Sequence, residues 1–233
     1  MGKKIIGICE GSKYSYYEEW LRDPQIEIIK LGYKYHNLSL AEKCDGIMLT
    51  GGDDVSQELY TNSAFVKNEN AEGGNKQRDY FEWKIMEHVE EKQKSLLAIC
   101  RGLQFVNVFF GGTLLPDMLA SRKLIHSKLK NGKDRLHTVT LDTNSAIYGM
   151  VREKKGIISS GHHQCVSTIG AGLKVTAMSP DAIIEAMEKN DPKSKSFFLL
   201  IQWHPERMED KFSPFSRNIK RQFLDSVRVD KTL

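Results

Sequence analysis

The chain has 233 residues, 34 basic and 30 acidic, for a formal net charge of +4, with 40% hydrophobic and 27% charged residues. That is the composition of an ordinary globular protein; it excludes collagen-like, low-complexity and disordered chains and carries no strong nucleic-acid field. The length suits one substantial core, so the expectation is a single domain over residues 1–233.

The N-terminus runs from Lys3 and Lys4 directly into Ile5–Cys9, an apolar run too brief for a signal-peptide core and better read as a first strand. No stretch reaches the ~20 apolar residues that cross a bilayer, so the expectation is a cytosolic protein with neither membrane nor nucleic-acid partner. Cys9, Cys44, Cys100 and Cys165 lie far apart without a C-x-x-C pair, which in a reducing compartment predicts free thiols.

Further strands are predicted at Ile26–Leu31, Gly46–Thr50, Ser95–Cys100 and Phe197–Trp203, each a short apolar run closed by turn residues. Between the third and fourth, Arg78–Lys92 has the spacing of an amphipathic helix. Leu103–Phe110 reads as a buried helix stopped by Gly111-Gly112. The basic stretch Arg122–Arg135 reads as a solvated loop. Thr138–Leu141 and Leu173–Ala177 alternate as antiparallel edge strands do. Strands alternating with helices predict an α/β fold around a mainly parallel sheet.

Four segments carry chemistry. Leu96 to Gln104 is an apolar strand delivering Cys100 into a tight turn that opens a helix. Small residues two positions either side of the cysteine, Ala98 and Gly102, permit that turn, and the helix N-terminus beyond it favours an anion. From this pattern alone Cys100 reads equally as a nucleophile or a buried core cysteine. Phe197 to Glu206 is a strand ending in His204-Pro205-Glu206. Residues two apart in an extended segment face the same way, so Glu206 can orient His204 as a base orienter does. Asp45 to Asp54 runs into Gly51-Gly52, whose backbone can approach a ligand closely. With the N–H of Arg101, the N–H of Gly52 forms a candidate oxyanion hole; an ordinary strand-ending turn is the alternative. Finally, Ser160-Gly161-His162-His163-Gln164 carries adjacent histidines. Strand neighbours face opposite ways and no nearby acidic or cysteine ligands complete a site, so a structural or substrate-contact role is expected and no metal.

Leu49-Thr50-Gly51-Gly52, Ile99 to Gln104, Ser160 to Gln164 and Gln202-Trp203-His204-Pro205-Glu206, in that order, resemble the class I glutamine amidotransferase superfamily, and within it the γ-glutamyl hydrolase branch, peptidase C26. The resemblance covers about Gly46 to Glu206. It implies a three-layer αβα sandwich and hydrolysis of a small γ-glutamyl amide through a glutamyl-thioester on Cys100, with His204 as base and Glu206 as its orienter. It also implies that Gln104, Ser160, His162 and His163 seat the glutamyl group and that no cofactor is needed. Ala98 stands where the superfamily usually has glycine, and Val55-Ser56-Gln57 where relatives often show Val-Asp-Pro. The alternative it carries is a glutaminase subunit supplying ammonia to a separate synthase; a homodimer is left open.

Overall fold

The computed structural model describes residues 2–61, 74–118, 125–191 and 196–228. A nine-stranded sheet runs through it. Its first five positions are β2 (Ile26–Leu31), β1 (Lys4–Cys9), β3 (Gly46–Leu49), β4 (Ser95–Ile99) and β11 (Phe198–Ile201), all mutually parallel. It continues through β10 (Ile184–Lys189), β9 (Leu173–Met178), β6 (Arg135–Leu141) and β7 (Lys155–Ser160), each antiparallel to its neighbour. The antiparallel part is thus larger than the edge expected from sequence, because 135–189 contributes four strands to this sheet, of which the alternation showed two. A separate ribbon pairs β5 (Thr113–Leu115) with β8 (Cys165–Thr168).

Side chains along the parallel strands alternate between two apolar layers, as the pleat requires. Met48, Leu97 and Ile99 pack with α1 (Tyr14–Leu21), α5 (Ala146–Val151) and α6 (Pro214–Arg228). Ile47, Leu49, Leu96 and Ala98 pack with α3 (Gly74–Lys92) and α4 (Arg101–Phe109). A short helix, α2 (Glu58–Thr61), follows the β3 loop. Both faces of the parallel strands are therefore covered, which is why these strands read as continuous apolar runs rather than as alternating ones.

Register positions the candidate site. Leu49 pairs with Ala98, and Ile99 with Ile201. Three adjacent parallel strands thus end side by side, so Thr50-Gly51, Cys100 and Gln202 to His204 all emerge at one edge, the carboxyl ends where open α/β sheets bind ligands. Among the described residues, no helix is long and apolar enough to cross a membrane.

Candidate active site

Cys100 occupies the turn between β4 and α4 with φ 54° and ψ −107°, a backbone region that non-glycine residues rarely adopt. Its N–H donates to Ile201 O at 2.7 Å, which fixes the turn to β11. The turn closes only because residue 102 lacks a side chain: a β carbon on Gly102 would lie 2.6 Å from Leu49 O. Cys100 is 7% exposed, so the residue is buried but still meets solvent.

His204 follows β11 and starts the 3-10 turn Pro205–Arg207. Its Nδ1 lies 2.8 Å from Glu206 Oε1, and both residues are buried. This turn is anchored from outside by a relay in which Trp20 Nε1 donates to Ser216 Oγ at 3.0 Å and Ser216 Oγ donates to Pro205 O at 2.7 Å. The His204 N–H donates to Ser159 O at 2.9 Å. His204 and Cys100 converge on Gly51: a β carbon built there would lie 3.1 Å from His204 Cε1 and 3.4 Å from Cys100 Cβ. Burial opposes charge on His204, yet the Glu206 carboxylate and then the Cys100 sulfur, which also hydrogen-bonds the ring, raise the imidazole to about 9.

Gly51 donates its N–H to the Tyr17 hydroxyl at 3.0 Å, which leaves Gly52, with φ 142°, as the expected backbone donor of this loop. Arg101 is the first residue of α4, where an amide has no acceptor within its own helix. Burial, and then the nearby Glu206 and Cys100, push the Tyr17 phenol well above its ordinary value, so Tyr17 is a neutral fixture of the site.

Beneath these amides lies a buried ionic group that the sequence did not reveal. The Arg101 guanidinium is ion-paired with Asp79 and Glu82, and Arg78 Nε donates to Glu82 Oε1 at 2.8 Å. Arg78 also donates to Thr50 O at 2.9 Å and Gly51 O at 3.3 Å, while Asp79 accepts from the Ser56 N–H at 3.1 Å. One network therefore holds the elbow and the Gly51-Gly52 loop in fixed relation. Burial pushes the Glu82 carboxyl up, but Arg101 and Arg78 outweigh it and hold it below its ordinary value; for Asp79 burial wins and the carboxyl is raised.

The expected substrate contacts are placed differently. Gln104 donates its amide to Gln164 O at 3.0 Å and Gln202 Oε1 at 3.1 Å, a buried brace between α4 and the strand ends. Ser160 Oγ donates to His126 O at 2.9 Å. His162 and His163 do point apart: His163 is exposed, 3.0 Å from Asp54 Oδ2, whereas His162 is buried beside His126, His137 and Glu185. Setting metal aside because no acidic ligand lies near His162 in sequence therefore fails, since the fold supplies Glu185 from β10. The reason is distance along the chain: neighbours in sequence say nothing about partners 23 to 36 residues away.

Beside the cysteine turn, and meeting it at Gly52, is a cavity of about 690 Å³ lined by Gly52, Asp53, Asp54, Ser127, Lys128, Gly161 and the two histidines, here called the mouth. Burial, and then the cations Lys13 and Arg207, hold the Lys128 ammonium below its ordinary value; Asp134 and Cys100 act in the opposite direction, which places Lys128 within the field of the cysteine. Sequence reading missed Tyr17, Arg78, Asp79, Glu82 and Lys128. A signal existed for two of them, since Asp79 and Glu82 sit three apart on one helix face, but such acids usually point to water.

Solved structures with the same arrangement of layers include the Trypanosoma brucei CTPS glutaminase domain with bound acivicin (TM-score 0.65, 13% identity, covering 97% of this chain and 94% of that one). A glutamine amidotransferase from Thermotoga maritima gives a TM-score of 0.63 at 11% identity, covering 98% and 91%. The fold is thus that of the class I glutamine amidotransferases. The family model for peptidase C26 matches residues 28–206, and the chain belongs to that family. Among curated relatives, protein NtpR of Enterococcus hirae is 31% identical over 168 residues, 71% of this chain and 68% of that protein. The γ-glutamyl-γ-aminobutyrate hydrolase PuuD of Escherichia coli K12 is 30% identical over 176 residues, 72% of this chain and 66% of that protein. The family and the relative PuuD support a hydrolase.

Proposed function

We propose that the chain hydrolyses the amide bond of a small γ-glutamyl compound through a glutamyl-thioester on Cys100. The observation that carries the reading is the convergence of Cys100 and His204 on Gly51, with His204 Nδ1 held 2.8 Å from Glu206. In acylation the Cys100 sulfur attacks the γ-carbonyl carbon, and the N–H groups of Gly52 and Arg101 receive the charge that develops on oxygen. The C–N bond then breaks, with the leaving nitrogen taking the proton of the His204 imidazolium. In deacylation the neutral imidazole takes a proton from water, the oxygen attacks the thioester, and the C–S bond breaks to release glutamate. Glu206 orients the ring and stabilises its charged form in both halves.

Two further features support this reading. An imidazole at about 9 is protonated at neutral pH, which suits a sulfur nucleophile that needs a counter-ion and a leaving amine that needs a proton. Lys128, with Lys13 and Arg207 near it, gives the mouth a positive side for the α-carboxylate of a glutamyl group. The name of the relative PuuD points to the same substrate class. No observation favours a glutaminase subunit that hands ammonia to a synthase.

The test is incubation of the purified chain with a panel of γ-glutamyl amides, glutamine included, with amine release followed by mass spectrometry. Amine is expected from at least one compound, and Cys100→Ala is expected to lower its release by several orders of magnitude. Release undiminished in that variant would remove Cys100 from the mechanism.

A further inference from the structure

His126, His137, His162 and Glu185 come from four separate segments: the stretch before β6, β6 itself, the turn after β7, and β10. All four are more than nine-tenths buried, and one ligand-type atom from each lies within 4.8 Å of the others. Each imidazole spends one nitrogen on an acceptor at the periphery. His126 Nε2 is 3.1 Å from Asp181 Oδ1, His137 Nδ1 is 3.2 Å from Thr138 O, and His162 Nδ1 is 2.9 Å from Gln164 O. Facing an acceptor, each of these nitrogens carries the proton. The opposite nitrogens, His126 Nδ1, His137 Nε2 and His162 Nε2, then present lone pairs to the centre, where Glu185 Oε1 also lies, and none of these four atoms has a well-aligned hydrogen-bond partner among the described residues.

Three lone pairs and a carboxylate pointed at one another in a dry interior repel unless something positive sits among them. Protonating all three rings would bury a surplus of positive charge, and protonating one would leave two lone pairs unanswered. One divalent cation answers all of them at once. The carboxylate edges fit: Glu185 Oε1 is 3.3 Å from His126 Nδ1, 3.5 Å from His137 Nε2 and 3.7 Å from His162 Nε2, and the four atoms together span no more than 4.8 Å, so a bound ion would draw the imidazoles slightly inward. With metal–ligand bonds near 2.1 Å, the edge of a tetrahedral zinc site is about 3.4 Å.

We propose that His126, His137, His162 and Glu185 form a four-coordinate structural site for Zn²⁺. A set of three imidazoles and one carboxylate suits a late first-row divalent ion and does not suit Ca²⁺ or Mg²⁺, which take oxygen ligands. A site whose four ligands are all buried protein side chains, with no coordination position left over, stabilises rather than reacts. Its position gives it a task. It ties β6 and β10 to the segment 160–164, where the His162 N–H donates to His126 O at 3.1 Å. That segment lines the mouth beside Lys128, and Ser159, just before it, accepts the His204 N–H.

The experiment uses tag-free full-length protein stripped with a strong chelator, reloaded with Zn²⁺ or Co²⁺, and freed of excess ion by gel filtration. Elemental analysis is expected to give one Zn²⁺ per chain. Co²⁺ is expected to give the intense visible bands of a tetrahedral complex, and reloading to raise the thermal midpoint by several degrees. Glu185→Gln and His137→Asn, each checked for folding by circular dichroism, should lose the bands and the thermal gain. Trace metal only in the reloaded wild type, weak six-coordinate Co²⁺ bands, or full loading in folded variants would each overturn the proposal. The wild-type measurements need no variant to fold, and none of the readouts depends on hydrolase activity.

Discussion

Replacing Glu206 with glutamine keeps the volume and an oxygen facing His204 Nδ1 but removes the charge. Burial pulls His204 down, and the Glu206 carboxylate and Cys100 overcome it, giving about 9 against an ordinary 6.5. That difference corresponds to about 3 kcal/mol of net preference for the imidazolium. Because the folded value lies above the unfolded one, this stability is fully present below about pH 6.5 and is lost as pH rises through about 9. Denaturant unfolding of wild type and Glu206→Gln across pH 6 to 10 should therefore show a gap of up to about 3 kcal/mol at the acid end that closes toward the alkaline end. NMR of the labelled ring should show its titration moving well below the wild-type value of about 9 in the variant. A gap independent of pH, or a ring that still titrates near 9, would refute the argument that this carboxylate holds the imidazole charged.

Gly102→Ala sets a β carbon 2.6 Å from the backbone oxygen of Leu49, which cannot swing aside as a side chain can. A loss of about 3 kcal/mol in denaturant unfolding and a collapse of hydrolysis are expected, and a fully active, equally stable variant would show that the elbow is not so tight. The thiols should separate by reactivity. Burial pushes Cys44 up to about 11 and Cys9 well above its ordinary value, and Cys165 is buried. At pH 7 the Cys44 thiolate fraction is on the order of 10⁻⁴. Brief iodoacetamide treatment followed by peptide mapping should therefore label Cys100 ahead of the other three, and equal labelling of Cys44 would contradict this.

The parallel strands were legible because sheets covered on both faces leave uninterrupted apolar runs, and β2 falls on the residues the pattern marked, Ile26–Leu31. The elbow and the His-Pro-Glu turn were legible as local geometry, and Glu206 does reach His204 across one proline. Helix α6 escaped notice although Phe215, Ile219, Phe223 and Val227 repeat every four residues, a period that was there to be read. Helix α3 was legible from Arg78 onward by its amphipathic spacing, but nothing in that spacing marks Asp79 and Glu82, which are fully buried against Arg101. Part of the basic stretch, 122–124, lies outside the described residues. What no local pattern could show is any group assembled from distant segments: the pairing of Arg101 with α3, the hydroxyl of Tyr17 on Gly51, and the four residues around Glu185.

The account turns on Cys100 as the atom that takes up the glutamyl group. Acid quenching during turnover of whichever γ-glutamyl amide is consumed, followed by peptide mass mapping, tests this directly. The expected result is a glutamyl adduct on the peptide containing Cys100 and none in Cys100→Ala. An adduct on another residue, or turnover that persists in the variant, would contradict it.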